Sequence, residues 1–146
     1  MGEPLPGDGS RLEELVEMVK ATYMLVVTYL ELLPIPIKLP ELTEDWTPAE
    51  GLLAAERARE VLLQDQPVCD LIKYNYHLMI LDWQTAYDMC AFAQLAGPAP
   101  WRLDAIDIAL SRAEASSDML VRHVRDAHPD MARQFEDGPG TDPSDG

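Results

Sequence analysis

From Leu12 to Val124 the apolar residues recur three and four positions apart, and no stretch of strand length alternates apolar with polar side chains. That period keeps one face of an α-helix toward a core, whereas a half-buried strand needs a period of two. The pattern therefore predicts helices throughout and no sheet. What it leaves open is how many helices there are and which faces they hide.

Prolines answer the first question, because they are accepted in the first turn of a helix and break its interior. Pro34 closes a first helix running from about Arg11 to Leu33, capped by Ser10 with Glu13 three residues on. Its stripe is Leu12, Leu15, Val19, Tyr23, Val26, Leu30 and Leu33. A second helix is expected from Pro48 to Leu63, with Thr47 as cap, presenting Leu53, Ala54, Ala58, Val61 and Leu62. The third runs from Pro67 to Ala96 and is stopped by Gly97-Pro98. It shows Ile72, Tyr76, Met79, Trp83, Ala86 and Cys90 on one stripe, widened by Leu71, Leu78, Ile80, Leu81, Tyr87 and Phe92. The fourth starts at Pro100-Trp101 and carries Leu103, Ile106, Leu110, Ala113, Ser117, Leu120 and Val124 inward, with Asp104, Asp107, Ser111, Glu114, Asp118 and Arg125 outward. After His128-Pro129 a last turn folds back on Met131 and Phe135. The expectation is an all-α, single-domain bundle (10–136) of four principal helices with a short C-terminal helical turn, flanked by flexible tails at 1–9 and 137–146.

Charge narrows the function. Eleven Lys and Arg against 26 Asp and Glu leave a net charge of −15. Nucleic acids and anionic membranes are bound by clustered Lys and Arg, so neither is an expected partner. The N-terminus lacks a basic segment followed by an apolar one, and Glu31, Pro34 and Pro36 interrupt the apolar run Ala21–Ile37, so a cytoplasmic protein is expected. There Cys69 and Cys90 would be reduced; on one helix, 21 residues would hold them about 31 Å apart, beyond disulfide reach. Arg outnumbers Lys eight to three, as in bacterial or phage genes rich in G+C.

Two short motifs carry candidate chemistry. Glu13-Glu14-Leu15-Val16-Glu17 resembles one half of the Mg²⁺-binding motif of MazG-like nucleotide pyrophosphatases. The resemblance implies Glu13, Glu14 and Glu17 as ligands of a hard cation. Its other half, Glu-x-x-Asp on a second helix, has its nearest counterpart in the loop Glu41-Leu42-Thr43-Glu44-Asp45. Acidic residues in a first helical turn also suit the macrodipole without any metal. Arg122 and His128, separated by five residues, resemble the Arg-x(4–6)-His signature of HEPN-type ribonucleases. That resemblance implies metal-independent RNA cleavage by paired subunits, with Arg122 steadying phosphate charge and His128 moving a proton. At the end of a helix, His128 equally serves its last carbonyls. The chain contains no Glu-x-x-His pair and no Cys-x-x-Cys-His, so no cofactor is expected.

A third class is a binder of a small apolar ligand among Tyr76, His77, Met79, Trp83 and Tyr87, residues whose spacing equally suits a core. The favoured class is a non-catalytic acidic protein–protein interaction module: a small inhibitor, an immunity or anti-defence protein, an adaptor or an assembly subunit. Its expected surface joins Met24, Leu25, Val27 and Leu32 of the first helix to Ile35, Ile37 and Leu39 of the prolyl segment. The expected partner is a protein that is basic or offers an apolar groove, with self-association through the same surface as a further option.

Overall fold

The computed structural model describes residues 8–41 and 48–137. Among these residues five α-helices follow in order: α1 (Asp8–Glu31), α2 (Pro48–Glu60), α3 (Asp70–Ala96), α4 (Pro100–Ala127) and α5 (Pro129–Asp137), with a 3₁₀ turn at Leu62–Asp65. No strand occurs among the described residues, and the helices pack as a small all-α bundle. The tails at 1–7 and 138–146, Thr47 and the acidic pair Glu44 and Asp45 lie outside the described residues.

The antiparallel hairpin of α3 and α4 is the most extensive helix pair, and α1 lies against both. Its turn depends on Gly97, whose φ of 110° and ψ of 151° fall where an L side chain is strained, while its N–H donates to Ala93 O at 2.9 Å. The inward α4 series, Leu103, Ile106, Leu110, Ala113, Ser117, Leu120 and Val124, is buried at every position. Each of the expected outward residues of α4 is exposed. In the centre, Trp83 Nε1 donates to Val19 O at 3.0 Å and Tyr76 Oη to Tyr29 O at 2.5 Å. Two α3 rings are thus hydrogen-bonded to the α1 backbone, which satisfies their polar atoms inside the core. Across the hairpin Asn75 Nδ2 lies 2.5 Å from His123 Nδ1 and also donates to Leu71 O at 2.9 Å. Helix α5 folds back as expected, burying Met131 and setting Phe135 against Tyr29 at 4.9 Å.

Four local expectations need correction. Helix α1 begins at Asp8, so Asp8 and Gly9 belong to a helix rather than a tail, and Ser10 lies inside the helix instead of capping it. Arg11 ties this first turn to Asp104 of α4 at 2.8 Å. Helix α2 stops at Glu60 and turns only part of the expected face inward: Ala58 is fully buried and Ala54 and Leu62 pack against the core, but Leu53 is 70 % exposed, Val61 also faces out, and Ala55 is fully buried instead. Small residues let α2 approach the bundle closely, which a leucine would prevent. Helix α3 starts three residues later than Pro67, because the chain bends through Pro67 and Val68, where Val68 N–H donates to Gln66 O at 2.8 Å, Cys69 is extended, and Val68 is the anchored residue. Cys69 therefore sits exposed at the N-cap rather than within the helix that holds Cys90.

Candidate functional site

The expected interaction surface is largely used up by the chain itself. Val27, Leu32, Ile37 and Leu39 are all buried, leaving Leu25 half-buried and only Met24 and Ile35 open. The reason is a set of polar pins on the prolyl segment. Ile35 N–H donates to Gln66 Oε1 at 3.0 Å, and Gln66 Nε2 returns a bond to Ile35 O at 2.6 Å. Ile37 N–H reaches Leu30 O at 3.1 Å, and Tyr23 Oη donates to Pro40 O at 2.5 Å. With its backbone satisfied, the segment lays Ile37 and Leu39 into the core. Gln66, 96 % buried, was not singled out in the sequence. A lone polar residue ahead of a proline gives no sign that its partner lies 31 positions back.

The candidate ligand pocket is likewise core at its centre. Tyr76, Met79 and Trp83 have no exposure, and Trp83 packs against Tyr23 and Tyr87 at centroid distances of 5.1 and 5.8 Å. Burial raises the phenol of Tyr76 well above its usual range, with Tyr29 adding to the effect. His77 is outside this core, half-buried and stacked on Tyr74 at 6.5 Å. Cys90 is buried, and burial pushes its thiol upward, which keeps it protonated and poorly nucleophilic.

Neither motif converges. Glu13, Glu14 and Glu17 are exposed on the first turns of α1, and Glu17 accepts from Lys20 at 3.3 Å. No group of three His, Cys, Asp or Glu side chains able to hold a metal ion occurs among the described residues. Arg122 is exposed on α4, whereas His128 is the C-cap, its N–H donating to Val124 O at 2.7 Å. Six helical residues advance about 9 Å and turn about 240° beyond a full circle, so the two side chains leave on different sides. His128 faces a concavity with Leu32, Pro34 and Met131, and Arg122 is not part of its wall.

What the structure does expose is a second apolar stripe on α3. At 100° per residue, Leu71, Tyr74, Leu78, Leu81, Phe92 and Leu95 fall opposite the buried Ile72–Cys90 stripe, with Thr85 and Asp88 completing the same line. The steps are three and four throughout, the spacing of a helix–helix seam. Leu95 is 88 % exposed, and Leu71, Tyr74, Leu81 and Phe92 are exposed as well. Helix α4 carries a matching outer line of Trp101, Ala105, Ile108, Arg112, Ala115 and Met119, with Trp101 and Ile108 each at least 60 % exposed. Because the inner stripes of both helices face α1, these outer lines point away from it together and form one face of the hairpin. At the turn the guanidinium of Arg102 lies 4.9 Å from both the Phe92 and Trp101 rings and donates to Gly97 O at 3.2 Å. Farther along, Arg112 reaches Asp82 at 3.7 Å. Asp82 is mostly shielded, and desolvation raises its carboxyl above the usual value against the opposing pull of Arg112.

The widened α3 residues in the sequence were the available signal for this face. An α-helix with apolar residues on two opposite sides has one side more than its own bundle can cover. Comparison of the chain with protein-family models, curated proteins and solved structures finds no match. No helix among the described residues is long and apolar enough to cross a membrane.

Proposed function

We propose that this chain is a non-catalytic protein–protein interaction module whose working surface is the outer face of the α3–α4 hairpin. The observation that carries the reading is the exposed three-four stripe from Leu71 to Leu95, flanked by Trp101 and Ile108 on α4. A face of large apolar side chains held on two rigid helices suits a protein partner, and aromatic anchors at its end are the side chains that dominate such interfaces. The surface moves from where the sequence placed it, on helix 1 and the prolyl segment, to the opposite side of the hairpin. Its charge also differs from that of the whole molecule. On this face Arg112 lies 3.7 Å from Asp82, and Arg102 stands beside Phe92 and Trp101, so its two acids, Asp82 and Asp88, are equalled in number by two arginines, whereas the chain as a whole carries −15. The acidic remainder repels other acidic surfaces and nucleic acid and so confines productive contact to this face or to basic partners.

Photocrosslinking in the native host tests the reading. A photoreactive amino acid in place of Leu81 is expected to yield a covalent adduct with a polypeptide. The same group in place of Leu53, exposed on α2 away from the face, is expected to yield none above background. Equal labelling from both positions, or none from either, would refute the assignment of this face.

A further inference from the structure

Resting on that reading, we infer that the occupant of the outer α3–α4 face is a second copy of this chain, docked about a two-fold axis parallel to the helices so that α3 of each copy lies on α4 of the other. Three observations point to a copy rather than to a different protein.

The first is charge. Two chains of −15 repel wherever their acidic surfaces approach. The outer face is where this penalty is smallest, because Arg102 and Arg112 equal Asp82 and Asp88 in number there and Arg112 stands 3.7 Å from Asp82. A dedicated basic partner would instead be expected to meet an acidic seat. The Asp82–Arg112 pair is the telling element: its 3.7 Å separation is long, and Arg112 remains 69 % exposed. A two-fold copy brings an identical pair across, so that each Arg112 also meets the other chain's Asp82 and four charges alternate.

The second is self-complementarity. Asp82 beside Arg112 and Phe92 beside Arg102 fix which α4 residues stand level with which α3 residues. A rotation about an axis parallel to the helices preserves those levels. Phe92 then falls between Trp101 and Ala105 of the second copy, and Leu78 between its Ala115 and Met119. Large α3 side chains meet gaps beside small α4 residues, the knobs-into-holes condition for packing two helix pairs. The product is a four-helix layer in which every neighbouring pair runs antiparallel. Such an isologous contact closes on itself and ends at two copies.

The third is size. Leu71 to Leu95 spans about 36 Å of helix, and two helices are about 20 Å wide, so the footprint is on the order of 700 Å² per copy. Stable protein–protein interfaces bury about 800 Å² per partner.

Two measurements on the purified full-length chain decide the matter. Equilibrium sedimentation is expected to give twice 16.3 kDa, with dissociation weakened severalfold as salt rises from about 50 to 500 mM because screening relieves the repulsion of like-charged copies. A single-copy mass at both salts overturns the inference. If the Leu81 photoadduct nevertheless forms with another polypeptide, the interaction reading survives and only the identity of the occupant is wrong. Orientation is read by disulfide trapping in a Cys69→Ser background, where chains carrying Leu81→Cys are mixed with chains carrying Ala115→Cys. A mixed disulfide dimer is expected. Trapping of Leu71→Cys chains with Leu95→Cys chains instead, or of neither mixture, overturns the proposed arrangement.

Discussion

The two faces of α3 have similar apolar content and opposite fates. On the inner face Tyr76, Met79 and Trp83 are completely enclosed, and Tyr76 and Trp83 have their polar atoms hydrogen-bonded to the backbone of α1. On the outer face Tyr74, Leu81, Phe92 and Leu95 meet no element of their own chain that hides them. Hydrophobicity alone does not distinguish the stripes. Supply of cover does: α1 and its prolyl continuation can reach only one side of the hairpin. The inner stripe makes the fold, and the outer stripe is what the fold leaves exposed, the surface proposed to meet another chain.

The sharpest way to break this comparison is truncation on either side of α3, measured by urea unfolding at concentrations where the chain is single. Trp83→Ala should cost about 3–5 kcal/mol, as loss of a fully buried large ring does. Phe92→Ala should stay within about 0.5 kcal/mol, since its ring is more than half exposed. Similar losses at both positions would mean that the faces are not functionally distinct. Helix α4 offers the same contrast at smaller scale. Ile106→Ala and Leu110→Ala should each cost about 2–5 kcal/mol. Ile108→Ala and Asp107→Ala, one step around the helix, should remain within about 0.5 kcal/mol.

The hairpin turn comes next in size. Gly97→Ala should destabilise by about 1–3 kcal/mol, because alanine is forced into a backbone region that only glycine adopts freely. An added Cβ would meet no atom within 4 Å, so the loss would report backbone strain and not a clash. An unchanged midpoint would show that the turn relaxes.

The smallest effect is electrostatic and sits on the edge of the outer face. Desolvation raises the folded Asp82 carboxyl above its ordinary 3.8, with Arg112 opposing. The folded state then holds its proton more tightly than the unfolded state. Stability falls as pH rises from the ordinary value to the raised one, and the full penalty persists above it. Asp82→Asn should therefore leave the single chain at least as stable at neutral pH, and its advantage should shrink on acidification through that window. An advantage that grows on acidification would reverse the sign.

How much of this was legible in the sequence depended on whether burial was decided locally. The α4 seam was readable in full, since Leu103 to Val124 follow one unbroken helical period and the solvent side is marked by charges. The inner stripe of α3 was readable for the same reason. In α2 the pattern places Ala58 inward correctly but not Leu53 and Val61, because Leu53 looks like a core residue and Ala55 does not, although close helix approach rewards the smaller side chain. The prolyl segment was misjudged because its cover depends on Gln66, far away in sequence and polar in character. The pattern points to surplus apolar surface on helix 1 and the prolyl segment, where Val27, Leu32, Ile37 and Leu39 are buried, whereas Leu71, Tyr74, Leu81, Phe92 and Leu95 of α3 are exposed. Periodicity reports how many faces need cover, and only the tertiary arrangement says which one goes without.

The central claim is tested most directly by placing one negative charge on each face of α3 and recording circular dichroism and sedimentation mass on the same samples. Met79→Glu, with no exposure in the folded chain, is expected to lose helical signal and its cooperative melt. Leu81→Glu, two residues away on the exposed stripe, is expected to keep the wild-type spectrum and to sediment at 16.3 kDa under conditions where the unaltered chain sediments at twice that mass. A folded Leu81→Glu protein with the same mass as the unaltered chain would contradict the account.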